Sequence, residues 1–270
     1  MKNPPVWPTL TGEIAVPTHE APSVFGAFER IHSQAWTPPW LRHEHIGRYQ
    51  WVSQFAQRRT VLDAACGIGY GSQMLLQKGA ARVYAFDLAD EALAEARHRL
   101  AGSAKAIVHS ADVTRLPLSN REVDLYVSFE TIEHVADDDA VVAEAARVLR
   151  PEGVFVCSTP NRLVVSPGNR LESRPSNQFH LREYDRRELE NLLAKRFDSV
   201  EWYGQSYLSG LYCRAVAGVA MLGRAIARRL HQSQKVLASL WRTPRFHFPL
   251  PLQDGDHPEV LIAVCRRSRI

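Results

Sequence analysis

The sequence predicts a doubly wound α/β fold, in which helices cover both faces of a mostly parallel sheet of seven strands. Residues 59–160 alternate short apolar runs with helical patterns, the order typical of βαβ units. A glycine-rich turn at 67–71 directly follows the first of these runs. The chain has 270 residues, 45% of them hydrophobic, and is therefore long enough to bury one large core. Strands are expected near 60–65, 81–87, 105–109, 123–129, 153–159, 197–203 and 259–265.

The helices are predicted between these runs. Residues 137–149 are the best-specified case, because Asp137 and its two acidic successors suit the positive N-terminal end of a helix. Further helices are expected at 41–57 and 185–195. The chain then divides into an N-terminal extension with a cap helix, a core, a late helical insertion acting as a lid, and a final core strand. Their expected ranges are 1–57, 58–207, 208–257 and 258–270.

The turn after the first strand has the pattern D-x-x-x-G-x-G-x-G, from Asp63 to Gly71. Gly67, Gly69 and Gly71 let the backbone come close to a ligand where a side chain would block it. The spacing differs from the G-x-G-x-x-G of dinucleotide sites. In addition, Asp63 would repel a phosphate but suits a cationic ligand. The turn therefore favours a positively charged ligand without phosphate.

Two more acids follow predicted strands. Asp87 lies 20 residues after Gly67 and ends an apolar run, where a carboxylate can accept hydrogen bonds from the ribose hydroxyls of a nucleoside. The alternative is that Asp87 caps the helix that begins near Asp90. Asp112 follows the third run and is succeeded by Val113.

With these motifs the chain resembles the class I S-adenosylmethionine-dependent methyltransferases. The resemblance implies that Asp63 and the glycines hold the methionine moiety, that Asp87 holds the ribose, and that Asp112 and Val113 contact the adenine. The cofactor-binding positions implied in the core are Asp63, Ala65, Gly67, Gly69, Asp87, Leu88, Asp112, Val113 and Glu130.

The helix before the first strand carries four further polar positions of interest. Arg48 and Tyr49 are expected to close over the methionine end, the guanidinium pairing with the carboxylate of the cofactor. The alternative is that both pack the helix onto the sheet. His43 and His45 flank Glu44 and are interpreted as surface or capping residues.

The segment after the fourth strand offers groups for the methyl acceptor. Glu130, Glu133 and His134 would converge if they began a helix, since positions three and four apart share a face. His180 is a fourth candidate. Two carboxylates and imidazoles suit a divalent cation. A metal-free base, with His134 or His180 taking the proton, and a purely structural role are the alternatives.

The pattern E-x-x-E-H, a following T-P-N and a later H-x-x-E-Y resemble methyltransferases that bind magnesium and methylate a hydroxyl. Ubiquinone-pathway O-methyltransferases share the first part, and small-RNA 3′-terminal 2′-O-methyltransferases share both. The resemblance implies a cation, Mg²⁺ or another divalent metal, that grips two neighbouring oxygens of the acceptor and lowers the pKa of its hydroxyl.

Over residues 11–206 the chain most resembles bacterial O-methyltransferases associated with sugar and polysaccharide pathways. The resemblance implies a hydroxyl acceptor on a sugar or polyol, in a polysaccharide, glycolipid or natural product. Two alternatives stay open, methylation of an RNA 3′-end and a cofactor-binding partner protein without catalysis. The acceptor, the methylated position and the oligomeric state are left open by these motifs.

Composition narrows the expected partners. The net charge is +4, a mild basic bias that predicts no DNA partner and argues against RNA. Residues 208–245 read as a basic amphipathic helix, which packs on the core, touches an anionic membrane as a peripheral contact, or contacts a phosphate-bearing acceptor. No apolar leader or membrane-spanning run is apparent and the four cysteines form no metal-like pair, so a cytoplasmic protein with reduced thiols is expected.

Overall fold

In a computed structural model the chain is described over residues 39–175, 177–207 and 248–268. The expected N-terminal extension up to residue 38 lies outside the described residues, as do Cys213 and most of the expected insertion. Among the described residues no helix is long and apolar enough to cross a membrane. The helices are α1 (Pro39–Val52), α2 (Tyr70–Gln77), α3 (Asp90–Leu100), α4 (Asp138–Val148), α5 (Arg162–Val165) and α6 (Arg186–Leu193). The strands are β1 (Thr60–Ala64), β2 (Arg82–Asp87), β3 (Ala106–Ser110), β4 (Val123–Phe129), β5 (Leu149–Pro160), β6 (Phe197–Tyr207), β7 (Leu250–Pro251) and β8 (Pro258–Ser268).

The strands form one sheet in the order β3-β2-β1-β4-β5-β8-β6-β7. The first five strands in this order, β3 to β5, pair in parallel. Strand β8 pairs antiparallel with both β5 and β6. The order reverses between β1 and β4, which is the switch point where open α/β sheets hold ligands. The predicted doubly wound fold is confirmed. The two-residue β7 makes an eighth strand, inside the range predicted as the insertion.

The central strands are buried on both faces, as a covered parallel sheet requires. The apolar residues of β1, β4 and β5 are almost entirely inaccessible to solvent. One core cluster packs α4 and α6 against one face, and a second packs α1 and α2 against the other. Three of the cysteines, Cys66, Cys157 and Cys265, are free and buried.

Helix boundaries follow local chemistry. Asp137 caps α4 by accepting the Ala140 N–H at 3.0 Å, so the acidic run is helix-start chemistry as predicted. Asp185 and Glu188 form a capping box at the start of α6. The helix predicted at 41–57 is shorter than expected, because α1 ends at Val52 and a 3₁₀ turn follows.

Candidate active site

A cavity of about 870 Å³ lies beyond the carboxyl ends of β1, β2 and β4. Nine of the predicted site residues line it: Tyr49, Ala65, Gly67, Asp87, Leu88, Asp112, Val113, Glu130 and His134. Five others do not: Arg48, Asp63, Gly69, Glu133 and His180. A single space therefore joins residues predicted for the cofactor to residues predicted for the acceptor.

The glycine turn leaves one wall of the cavity open. Gly67 has φ +54°, and a Cβ placed on it would meet nothing within 4 Å, so the space above it is free for a ligand. The Gly67 N–H donates to Asp87 Oδ2 at 2.8 Å, and the Ala89 N–H donates to Asp87 Oδ1 at 2.9 Å. Each oxygen keeps a lone pair. The cap position of α3 is Ala89, with no side-chain bond, so Asp87 does not cap that helix.

Asp63 lies behind the turn and is completely buried. It accepts hydrogen bonds from Tyr49 Oη at 2.8 Å and from Ser72 Oγ at 2.6 Å. Burial raises the pKa of Asp63 to about 6, although the hydrogen bonds from Ser72 and Tyr49 oppose the rise. Asp63 thus joins α1 and α2 to β1 and places a carboxylate behind the turn.

The far end of the cavity is formed by residues after β2 and β3. Leu88 is 62% exposed beside it. Asp112 accepts hydrogen bonds from both the N–H and the Oγ1 of Thr114, each at 2.8 Å, through the same oxygen, Oδ1. That oxygen holds the turn, and the second carboxylate oxygen of Asp112 is available to a ligand in the cavity.

Arg48 is buried and packs α1 onto the sheet. Its Nη1 donates to Gln205 Oε1 at 2.6 Å, and its guanidinium carbon lies 5.9 Å from the centre of the Phe129 ring. Within the described part of the chain, Nε has no hydrogen-bond partner. Tyr49, by contrast, lines the cavity. The contacts seen for Arg48 are those of the packing alternative.

The acceptor side is built on a 3₁₀ turn, Ile132–His134, rather than on the expected first turn of an α-helix. Ligand atoms of Glu133, His134 and His180 lie within 4.8 Å of one another. Glu130 is not part of this group among the described residues. Its φ of +50° turns the chain before the 3₁₀ turn, and Ser158 Oγ donates to its Oε1 at 2.7 Å.

Glu133 is the buried carboxylate of this group. Thr159 Oγ1 donates to its Oε2 at 2.9 Å, whereas Oε1 is buried without a hydrogen-bond partner in the described residues. Burial and the nearby charge of Glu130 raise the pKa of Glu133 to about 8, and His180 opposes that rise. An orphaned oxygen on a buried acid is costly, which marks this position for a cation or a donor.

The two histidines of the group differ in their surroundings. His134 lines the cavity, and its Nδ1 lies 3.0 Å from the carbonyl oxygen of Phe179. The Nε2 of His180 lies 3.0 Å from Asn177 Nδ2, and its Nδ1 lies 2.8 Å from Glu183 Oε1. Because Asn177 Oδ1 accepts the Phe179 N–H, the amide donates to Nε2. His180 therefore carries its proton on Nδ1 and donates it to Glu183.

The interpretation of His45 as a surface or capping residue is wrong, because His45 lines the cavity. His45 lies four residues before Tyr49, so both are on one face of α1. This spacing could have predicted that His45 faces the cavity together with Tyr49. Other lining residues that the sequence did not single out include Tyr70, Thr114, Phe179 and Leu181. The last two sit in a loop whose path only the folded chain defines.

Comparison with known proteins agrees with this geometry. Residues 62–157 match the family described as "Methyltransferase domain". A probable S-adenosylmethionine-dependent methyltransferase of Mycolicibacterium smegmatis is 40% identical over 160 residues, which cover 59% of each chain. The ubiquinone biosynthesis O-methyltransferase of Bordetella avium is 35% identical over 120 residues, covering 43% of this chain and 49% of that one.

A solved structure of an S-adenosylmethionine-dependent methyltransferase from Thermotoga maritima superposes with a TM-score of 0.56 at 12% identity. The superposition covers 84% of this chain and 93% of the T. maritima chain, and it shows that the two share a fold. The fold and the glycine-turn cavity define a class I methyltransferase architecture. Over residues 62–157 the chain matches a methyltransferase domain, and the M. smegmatis relative is named as a probable S-adenosylmethionine-dependent methyltransferase. It spans about half to three fifths of the length of the curated relatives named above.

Proposed function

We propose that the protein transfers a methyl group from S-adenosylmethionine to a hydroxyl of an acceptor that contains a sugar or polyol. The observation that carries the proposal is the single cavity, in which the Gly67–Asp87 wall and the Glu130–His134 wall face one space. In methyl transfer the donor and acceptor atoms must meet in line, so most of the rate comes from positioning.

The residues of the first wall suit the cofactor. Asp87 keeps lone pairs for two ribose hydroxyls while the Gly67 and Ala89 amides fix its orientation. The open face of Gly67 admits the methionine chain, and Leu88, Asp112 and Val113 border the space for the adenine. Asp63 adds negative charge behind a cationic ligand. S-adenosylmethionine, with a sulfonium and no phosphate, fits these features.

A divalent cation fits the acceptor side. Glu133, His134 and His180 would hold it, His180 through Nε2 in place of its hydrogen bond from Asn177, since a carboxylate and imidazoles are acceptable ligands for Mg²⁺ or a borderline metal. The orphaned Oε1 of Glu133 is the specific support. When bound, the cation would stabilise the alkoxide of the acceptor. With or without a cation, His134 and Glu130 face the cavity and orient the hydroxyl of the acceptor.

The lip of the cavity supports an acceptor with an apolar face. Phe179 and Leu181 flank His180 in the chain, line the cavity, and are 47% and 60% exposed. A pyranose offers C–H groups on one face and vicinal hydroxyls at its edge, which matches an apolar lip beside His134. The B. avium relative is named as an O-methyltransferase. An aromatic vicinal diol offers a cation two neighbouring oxygens without a sugar ring, and it therefore serves as the comparison substrate.

The cofactor assignment is tested by calorimetry with S-adenosylmethionine. Asp87→Ala should weaken binding by about 10- to 100-fold, because hydrogen bonds to a charged group contribute roughly 1.5–3 kcal/mol. The matched control is Asp90→Ala, an exposed acid at the start of α3, which should bind as the wild type does. No binding by the wild type, or binding unchanged by Asp87→Ala, would contradict the assignment.

The acceptor assignment is tested by methyl transfer to p-nitrophenyl α-D-mannopyranoside and to 3,4-dihydroxybenzoate. We expect O-methylated product, faster with the glycoside, and a loss of roughly 100-fold or more for Glu133→Ala. Thorough chelation should abolish methyl transfer, and added Mg²⁺ or Mn²⁺ should restore it. If activity is undiminished after chelation, the reaction does not need a metal. If Glu133→Ala is as active as the wild type, the assignment of the Glu130–His134 wall to the acceptor is wrong.

A further inference from the structure

His45 belongs to the wall of the cavity that α1 supplies. Tyr49, one turn later on the same face, packs edge-to-face on Tyr70 and on Phe129, with ring centres 5.3 and 5.1 Å apart. Phe129 ends β4 and directly precedes Glu130. His45, Tyr49, Tyr70 and Phe129 all line the cavity. The His45 ring thus borders the space into which the acceptor-side residues also face.

The ring of His45 makes no hydrogen bond to any part of the chain that the structure describes. This separates it from the other two histidines near the cavity. His134 uses Nδ1 at the Phe179 carbonyl, and both ring nitrogens of His180 lie within hydrogen-bond distance of Asn177 or Glu183. Of the three imidazoles, His45 is the one with neither ring nitrogen bonded to a described residue, so it can offer a nitrogen to a ligand in the cavity.

The environment of His45 also keeps the ring neutral. Burial lowers its pKa well below the ordinary value, and the Arg48 guanidinium one turn away lowers it further. The titratable groups that line the same cavity from other elements are Cys66, Tyr70, Asp87, Asp112, Glu130, His134 and Asp137. A neutral imidazole has an electron pair to accept a proton, and it does not repel the positive sulfonium.

We propose that His45 is the general base that takes the proton of the acceptor hydroxyl, an inference that rests on the proposed O-methylation. As the acceptor oxygen forms its bond to the methyl carbon, the bond from that carbon to sulfur breaks and its electron pair stays on sulfur. The hydroxyl proton passes to a ring nitrogen of His45. The products are the methyl ether, S-adenosylhomocysteine and an imidazolium, which then releases its proton to water.

The base is tested by steady-state kinetics with S-adenosylmethionine and p-nitrophenyl α-D-mannopyranoside. His45→Ala and His45→Gln should lower kcat by about 10²- to 10⁴-fold, with cofactor affinity changed by less than about 3-fold. Added imidazole should restore part of the His45→Ala rate and none of the His45→Gln rate, since glutamine fills the space. His43→Ala, two residues away on α1, is the matched control and should act as the wild type.

Two results would overturn the assignment. A kcat of His45→Ala within about 3-fold of the wild type excludes a base worth the usual 10²-fold or more. A fall in cofactor affinity that accounts for the whole loss makes His45 a cofactor contact instead.

A second measurement needs no turnover and separates this inference from the proposed function. In protein saturated with S-adenosylhomocysteine, p-nitrophenyl α-D-mannopyranoside should shift the His45 ¹³Cε1 resonance and leave that of His43 in place. An absent shift at saturating glycoside rejects His45, whatever the activity assay shows. A shift without any methyl transfer would reject O-methylation of this glycoside while leaving His45 in contact with the bound hydroxyls.

Discussion

At the scale of single residues, the most informative feature is the way one carboxylate can serve two neighbours. Asp87 orients the glycine turn through the Gly67 amide and the start of α3 through Ala89. Asp63 does the same between Tyr49 and Ser72. The acids that suggested a ribose (Asp87) and a cationic ligand (Asp63) are thus also structural, and each one prearranges the backbone that a ligand meets.

Asp63 makes a pH-dependent contribution to stability. Its pKa is raised from an ordinary value near 4 to about 6 by burial, so between about pH 4 and pH 6 the folded chain holds more protons than the unfolded chain. Stability therefore falls as pH rises through that window. Between about pH 4 and pH 6, the free energy of unfolding of the wild type should fall by on the order of 1–3 kcal/mol more than that of Asp63→Asn.

Urea unfolding of the ligand-free protein at about pH 4, 5, 6 and 7 measures this difference. Asp90→Asn, an exposed acid, should retain the pH dependence of the wild type. A pH dependence shared by Asp63→Asn and the wild type would show that Asp63 does not titrate in this window.

At the scale of elements, the site depends on how closely α1 and α2 approach. Tyr49 of α1 lies against Gly71 in the first turn of α2, and a Cβ on Gly71 would overlap the Tyr49 ring. The third glycine of the motif is therefore required for helix packing, and the sequence alone ascribed it to a ligand. The same ring presents its hydroxyl to Asp63.

Gly71→Ala should lower stability by about 1–3 kcal/mol, as overpacking usually does, and should weaken S-adenosylmethionine binding because Tyr49 must move. Thermal unfolding and calorimetry measure the two effects. Gly102→Ala is the control, since a Cβ there meets nothing within 4 Å. If Gly71→Ala matched Gly102→Ala in both measurements, the close approach of the helices would not matter.

At the scale of the whole molecule, α1, at the start of the described residues, is bonded to β6, far along the chain. Arg48 donates to Gln205 of β6, 157 residues away. Gln205 Nε2 in turn donates to the Glu44 carbonyl, and Ser206 Oγ donates to the Glu44 side chain. These bonds hold the helix that carries His45 and Tyr49 over the cavity.

Gln205→Ala should weaken S-adenosylmethionine binding several-fold and lower stability by roughly 1–3 kcal/mol, because it leaves the buried Arg48 guanidinium without its side-chain acceptor. Calorimetry and urea unfolding report both. Gln57→Ala, an exposed position beyond α1, should change neither. A Gln205→Ala protein that binds the cofactor as the wild type does would show that α1 stays in place without this link.

Much of the fold could be read from the sequence because it is encoded locally. Apolar runs, glycines and caps fall within a few residues of one another, so β4 begins and ends where predicted and α4 begins beside its acidic run. Glu130 shows the limit. Its positive φ is set by packing at the end of β4 and by Ser158, and helical spacing therefore misplaced it.

The sequence by itself determined the order of strands and helices and the chemistry at the strand ends, because periodicity and turn residues act over short distances. Only the tertiary structure decided which groups share a space. It brought His180 to Glu133 and His134, left Arg48 bound to Gln205, and turned His45 toward the cavity. These outcomes depend on contacts between distant segments, whose geometry is settled only when the helices pack on the sheet.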